Sequence, residues 1–248
     1  MINKLLNNEF SISDEALRLL ATAEDKIRPM FEETERIAAY NQAKVLAAFK
    51  NNRVSYAHFG ETSGYGYDDM GRDTLDTIFA EVFGAESAMV RHNIVSGTQA
   101  IASCLYGVLR PGDTMVSVVG KPYDTMEEVI GLRGDDDCGS LKDFGINYEQ
   151  IDLLPGGEID YGKIKAIFSE KNIKLALIQR SRGYDWRNSL TVDKIGEIIK
   201  TIKYVSPETI CMVDNCYGEF VETKEPTEVG ADIIVGSLIK NPGGSLAL

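Results

Sequence analysis

Ala231-Asp232-Ile233-Ile234-Val235-Gly236-Ser237-Leu238-Ile239-Lys240 is an apolar run that closes on a hydroxyl and an amine. Short, rich in β-branched residues and ending near a glycine, it reads as a buried strand over Asp232 to Gly236. Burial favours the neutral, nucleophilic form of an amine, so a lysine that ends such a run is a candidate for imine chemistry. The plainer reading is that Lys240 and Asn241 begin a surface loop. Upstream, Ile210-Cys211-Met212-Val213-Asp214-Asn215 has the same form, a strand that ends on a carboxylate. A carboxylate there needs a cation or several donors, unless Asp214 caps a turn with Asn215. Strands that are apolar on both faces belong to parallel sheets covered by helices.

Working outward, further strands are predicted at Ala88 to Val95, Thr114 to Val119, Ile146 to Asp152 and Leu175 to Gln179. Helices are predicted at Thr98 to Leu109, Tyr123 to Leu132, Asp160 to Lys171 and Val192 to Val205. This alternation predicts an α/β fold: a mostly parallel sheet with helices on both faces and its ligand site at the carboxyl ends of the strands. Ahead of it, Ser13 to Asn51 reads as a long helix capped by Ser13, Tyr56 to Arg72 as a glycine-rich loop, and Thr74 to Phe83 as a helix. The expected division is an N-terminal helical segment over 1–55 and a large domain over 56–248.

A third element is Ser96-Gly97-Thr98-Gln99-Ala100, which follows a predicted strand and opens a helix. Exposed N–H groups and the helix dipole there make an anion site, although an ordinary serine-capped turn has the same sequence. An amine, an acid and a phosphate cradle are together what pyridoxal 5′-phosphate (PLP) requires: a carbonyl partner, a partner for the ring nitrogen and a grip on the phosphate.

The remaining composition narrows the field. The chain has 248 residues and a formal charge of -12, which argues against a nucleic-acid partner, since a duplex needs a basic face. Its apolar runs are far short of the roughly 20 residues of a membrane helix, and Met1 to Phe10 has no secretory pattern, so a cytoplasmic location is expected. Cys104, Cys138, Cys211 and Cys216 read as reduced thiols. Asp135-Asp136-Asp137 reads as a solvated loop, and His58 and His92 lack ligand spacing with the cysteines, so no metal is expected.

Val213-Asp214-Asn215, Gly230 to Ile234 and Ser237 to Lys240 resemble the core of the Cys/Met-metabolism PLP enzymes, which include the cystathionine lyases and methionine gamma-lyase. Several further strings are similar to the subgroup known as aluminium resistance or methionine gamma-lyase family proteins. These are Tyr65 to Arg72, His92 to Ala100, Gly139 to Gly145, Gln179 to Tyr184 and Lys240 to Gly244. The resemblance implies an aspartate aminotransferase-like fold (PLP fold type I) with a mostly parallel, seven-stranded type of sheet. It also implies a PLP-dependent lyase that acts on a sulfur-containing amino acid by elimination at the β or γ carbon.

By the same resemblance Lys240 is the Schiff-base lysine and later the base at the α carbon, Asp214 holds the pyridine nitrogen, and Tyr123 stacks on the ring. Ser96, Gly97, Thr98 and Gln99 bind phosphate with the Ser237 hydroxyl. Tyr65 or Tyr67, with Arg72, completes that site from a neighbouring subunit, which implies a homodimer or homotetramer. The sequence departs from the common lyases at Ile239, where they carry a phosphate-binding threonine, and at Arg180-Ser181-Arg182. Those arginines hold a substrate carboxylate or cofactor oxygen, or else pair with surface acids.

Family chains continue beyond this lysine into further strands and a smaller C-terminal domain, so the sequence is expected to be a fragment or a truncated product. The same lysine and aspartate also serve transamination and racemisation elsewhere, and a non-catalytic protein that acts by association is the rival of a different class.

Overall fold

A computed structural model of the chain describes residues 2–62 and 67–244. The chain divides into two units, residues 1–43 and 44–248. In the first, helix α1 (Ile2–Phe10) leads into α2 (Asp14–Asn51), which carries Asp14 and Glu15 in its first turn, where carboxylates meet the positive end of the helix dipole. Helix α1 lies within the helical segment expected over 1–55, ahead of the long helix predicted from Ser13.

The second unit holds the last turns of α2, a 3-10 turn (Tyr56–Phe59) and helices α3 (Met70–Phe83), α4 (Gly97–Val108), α5 (Asp124–Ile130), α6 (Tyr161–Glu170) and α7 (Val192–Val205). Its sheet comprises β1 (Thr114–Ser117), β2 (Asn147–Gln150), β3 (Leu175–Gln179), β4 (Ile210–Asp214) and β5 (Ile233–Val235), ordered β2-β1-β3-β4-β5 and parallel throughout. Parallel pairing forces a crossover between strands, and side chains alternate across the sheet, so each strand feeds two cores. Leu175 and Leu177 face the layer of α4 and α5 with Ile101, Leu105, Met126 and Ile130. Ala176 and Ile178 face α6 and α7 with Ile164, Phe168, Ile195 and Ile198. The predicted α/β fold with helices on both faces is therefore present.

Two differences from the sequence reading have visible causes. The described sheet has five strands, because residues 88–95 form no ladder. The backbone of that stretch is tied to α3 instead: the Val90 N–H donates to Asp76 Oδ1 (2.8 Å), and the Arg91 guanidinium grips both Asp76 oxygens (2.7 and 2.8 Å). Helix α3 starts four residues ahead of the predicted Thr74, because the Asp69 side chain caps it by accepting from the Arg72 N–H. No helix among the described residues is long and apolar enough to cross a membrane.

Candidate functional site

The strand order reverses across β1, with β2 on one side and β3 on the other, and a crevice opens at such a switch point above the carboxyl ends of the strands. Register aligns Gln179, Asp214 and Val235 in one row at those ends. Above that row lies a cavity of about 250 Å³, lined by Gly97 and Thr98 from α4, Tyr123, the loop Ser181 to Gly183, Asp214, Cys216, Tyr217 and Lys240.

Helix α4 points its N-terminus into the cavity. Ser96 is the cap, its hydroxyl accepting from the Gln99 N–H (3.0 Å), while Gln99 Oε1 accepts from the Val95 N–H (2.8 Å). This reciprocal cap engages Gln99 through both its amide and its side chain, and leaves the first-turn amides of Gly97 and Thr98 to face the cavity. The Thr98 hydroxyl is fixed by that of Thr125 at 2.8 Å. Gly97 permits close approach: a Cβ there would lie 3.0 Å from Cys216 Sγ, 3.6 Å from Ser237 Cβ and 3.8 Å from Lys240 Nζ. The helix N-terminus, the serine and the lysine therefore meet at one point.

Asp214 is buried, and its carboxylate accepts from Cys216 alone among the described contacts, from the backbone N–H (3.1 Å to Oδ1) and from the thiol. Burial pushes its carboxyl up, against the smaller downward pull of the two Cys216 hydrogen bonds and of the Lys240 ammonium. A protonated ring nitrogen would give the carboxylate a cationic partner in direct contact. The Lys240 ammonium sits over the Tyr217 ring, 4.6 Å from its centre. Tyr217 and Phe220 both adopt left-handed backbone (φ 69° and 62°), so the chain coils tightly between Asp214 and Phe220.

Tyr123 caps α5, and its backbone N–H donates to Gln179 Oε1 (2.7 Å). Its ring stacks on Tyr184 at 5.6 Å between centres, and its hydroxyl donates to the Tyr184 hydroxyl (3.2 Å), the main reason the Tyr123 phenol is pushed up to about 12. The loop beyond, with exposed Tyr184 and Trp186, is anchored by the buried Arg187 guanidinium, which donates to the carbonyls of Gln179 (3.0 Å) and Ser181 (2.6 Å).

The structure thus brings together Ser96, Gly97, Thr98, Tyr123, Asp214, Ser237 and Lys240. Tyr67 is exposed and Arg72 lies at the start of α3, and neither lines the cavity. Tyr65 lies outside the described residues. The two arginines separate. Arg182 lines the cavity, whereas Arg180 is buried, its guanidinium donating to Asn215 Oδ1 (2.8 Å), the Gly218 carbonyl (2.8 Å) and Glu222 Oε1 (2.6 Å). Arg180 is a brace under the site, neither a substrate contact nor a surface ion pair. Cys216 and Tyr217 were missed in the sequence; their place directly after the strand-ending Asp214 is the signal that points to them.

The methionine gamma-lyase family profile matches residues 16–248. The chain belongs to the methionine gamma-lyase family. Its relatives include the uncharacterized protein YnbB of Bacillus subtilis, 50% identical over 90% of this chain and 53% of that protein. A crystal structure from Clostridium acetobutylicum, of a candidate cystathionine beta-lyase involved in aluminum resistance, is 48% identical with a TM-score of 0.93. The match covers 99% of this chain and 59% of that one. A protein of the same description from Listeria innocua is 53% identical with a TM-score of 0.90, over 95% of this chain and 57% of its own. The chain thus spans somewhat over half the length of these relatives. The fold is PLP fold type I, and the cofactor of this family is PLP. The residues above fit it: free first-turn amides and a serine for phosphate, a buried carboxylate without a full complement of donors, an aromatic face and an amine.

Proposed function

We propose that this protein is a PLP-dependent carbon–sulfur lyase that eliminates at the β or γ carbon of a sulfur-containing amino acid, with Lys240 as the covalent attachment point of the cofactor. The observation that carries this reading is the convergence of Lys240 Nζ, Ser237 and Gly97 within 4 Å of one point above buried Asp214. Bound PLP supplies an electron sink for charge developing at the α carbon.

Around it, each side chain has its own task. The Gly97 and Thr98 amides bind phosphate with the Ser237 hydroxyl, aided by the helix dipole. Asp214 keeps the ring nitrogen protonated, and Tyr123 presents its ring face and excludes water. Lys240, released by the incoming amino group, moves the α proton. Arg182 at the cavity wall is placed to receive the substrate carboxylate. Tyr65 or Tyr67, with Arg72, completes the phosphate site of a neighbouring copy in a homodimer or a dimer of dimers, and a cytoplasmic location goes with this reading.

The test is borohydride trapping of the purified protein with PLP, followed by peptide mapping. A pyridoxyl label on Lys240, absent in Lys240→Ala together with the visible band, is the expected result. Keto acid and ammonia released from cystathionine, methionine or cysteine without an added keto-acid acceptor mark elimination, whereas dependence on that acceptor marks transamination. An unlabelled, folded protein would sink the reading.

A further inference from the structure

We propose that Glu219 is the positioning residue for Lys240: its buried carboxylate holds the Ser237–Lys240 turn at the height where amine and hydroxyl meet the N-terminus of α4. The proposal rests on the reading of Lys240 given above. Ser237 is the pivot of that turn, since its carbonyl accepts from the N–H groups of both Lys240 (2.9 Å) and Asn241 (3.1 Å). Its own N–H donates to Glu219 Oε1 at 2.6 Å, out of contact with water. The far end of the turn returns to the same loop, where the Asn241 side-chain amide donates to the Glu219 carbonyl (3.1 Å) and the Tyr217 carbonyl (3.0 Å). Glu219 therefore grips the lysine turn at both ends, through side chain and backbone.

The neighbouring sequence is shaped around this carboxylate. A Cβ on Gly236 would stand 2.6 Å from Glu219 Oε1, so only glycine lets the acid reach the Ser237 amide. The second oxygen, Oε2, is buried without a hydrogen-bond partner among the described residues. A carboxyl kept only for packing would be better satisfied or replaced by an apolar group, because an unpaired buried polar atom is destabilising. Glu219 bears that cost on one oxygen, and besides its own N–H the one amide its carboxylate accepts from is Ser237, on which the lysine turn pivots.

The test compares wild type with Glu219→Gln, Glu219→Ala and Gly236→Ala in the full-length protein. Gln keeps the acceptor, Ala removes it, and Gly236→Ala displaces it without deleting it, which keeps the proposal testable should Glu219→Ala fail to fold. Two readouts are taken beside the melting temperature: hydrogen exchange of the 236–244 segment without cofactor, and PLP uptake by visible absorption.

Loss of one buried hydrogen bond should speed Ser237 exchange and weaken PLP binding by about tenfold in Glu219→Ala and Gly236→Ala, with Glu219→Gln near wild type. Unchanged exchange in Glu219→Ala and Gly236→Ala, or failure of Gln to rescue, overturns the proposal. Should wild type take up no PLP, the reading of Lys240 fails, while the exchange measurement still decides whether Glu219 holds the turn.

Discussion

Asp214 and Glu225 are both buried acids whose carboxyls burial pushes up, yet their surroundings differ in kind. Glu225 uses both oxygens, Oε1 accepting from the Phe220 N–H (2.9 Å) and Oε2 from the Asn215 side-chain amide (3.1 Å), with the Arg180 guanidinium 3.8 Å away. Asp214 has the backbone amide and the weakly donating thiol of Cys216 and no ion pair among the described residues, and it opens onto the cavity. The difference teaches how to tell structure from site: an acid whose lone pairs are filled by the protein holds the fold, and one left short of donors at a cavity wall waits for a ligand.

Substitutions can break or sharpen that contrast. The largest effect belongs to the brace. Arg180→Ala leaves Glu225, Glu222 and Asn215 without their shared donor, and should lower unfolding free energy by about 3–5 kcal/mol, read by urea denaturation. If the loss were under about 1 kcal/mol, as for an exposed pair, the brace would be no more than a surface contact.

On the other side of the contrast, Asp214→Asn should leave the apoprotein as stable as wild type or stabilise it by about 1 kcal/mol, since an under-satisfied buried carboxylate is removed. The same variant should bind PLP with a shifted visible spectrum, because the ring nitrogen loses its anionic partner. A destabilised apoprotein would place Asp214 with Glu225 among the structural acids.

A further effect is in pH dependence. Burial is the main cause that raises the Glu219 carboxyl from 4.5 to about 7. The folded state then binds more protons than the unfolded one between those values, so this group's contribution is present below pH 4.5 and is lost as pH rises to about 7. Glu225 and Asp214, both of which push Glu219 further up, slope the same way. Comparing wild type with Glu219→Gln isolates the single contribution, and the variant should show a flatter stability profile across that window.

The site was legible where chemistry coincides with the end of a regular element. Asp214 ends β4, Gly97 begins α4 and Lys240 follows β5, so the apolar runs that stop at them pointed to one edge of the sheet, while the family resemblance supplied their expected roles. The roles of Tyr217 and Glu219 were not legible, because they depend on the two left-handed residues that coil the loop after β4, and neither Tyr217 nor Phe220 is a residue type that announces such a turn. Residues 88–95 misled for a related reason. Their apolar composition suits a strand, but a strand exists only with a partner, and Asp76 claims their backbone first. Arg180 and Arg182 are near-identical in sequence terms, and only the crossing of β3 with the loop after β4 separates the buried brace from the cavity wall.

The loop that carries Arg182 also holds Trp186, the sole tryptophan of the chain, 96% exposed and tethered close to the cavity through the Arg187 anchor. One indole at the rim of a site whose ligand absorbs in the near ultraviolet is a built-in fluorophore. Its emission, quenched by energy transfer as the cavity fills, would let loading and release be followed in real time with no label attached.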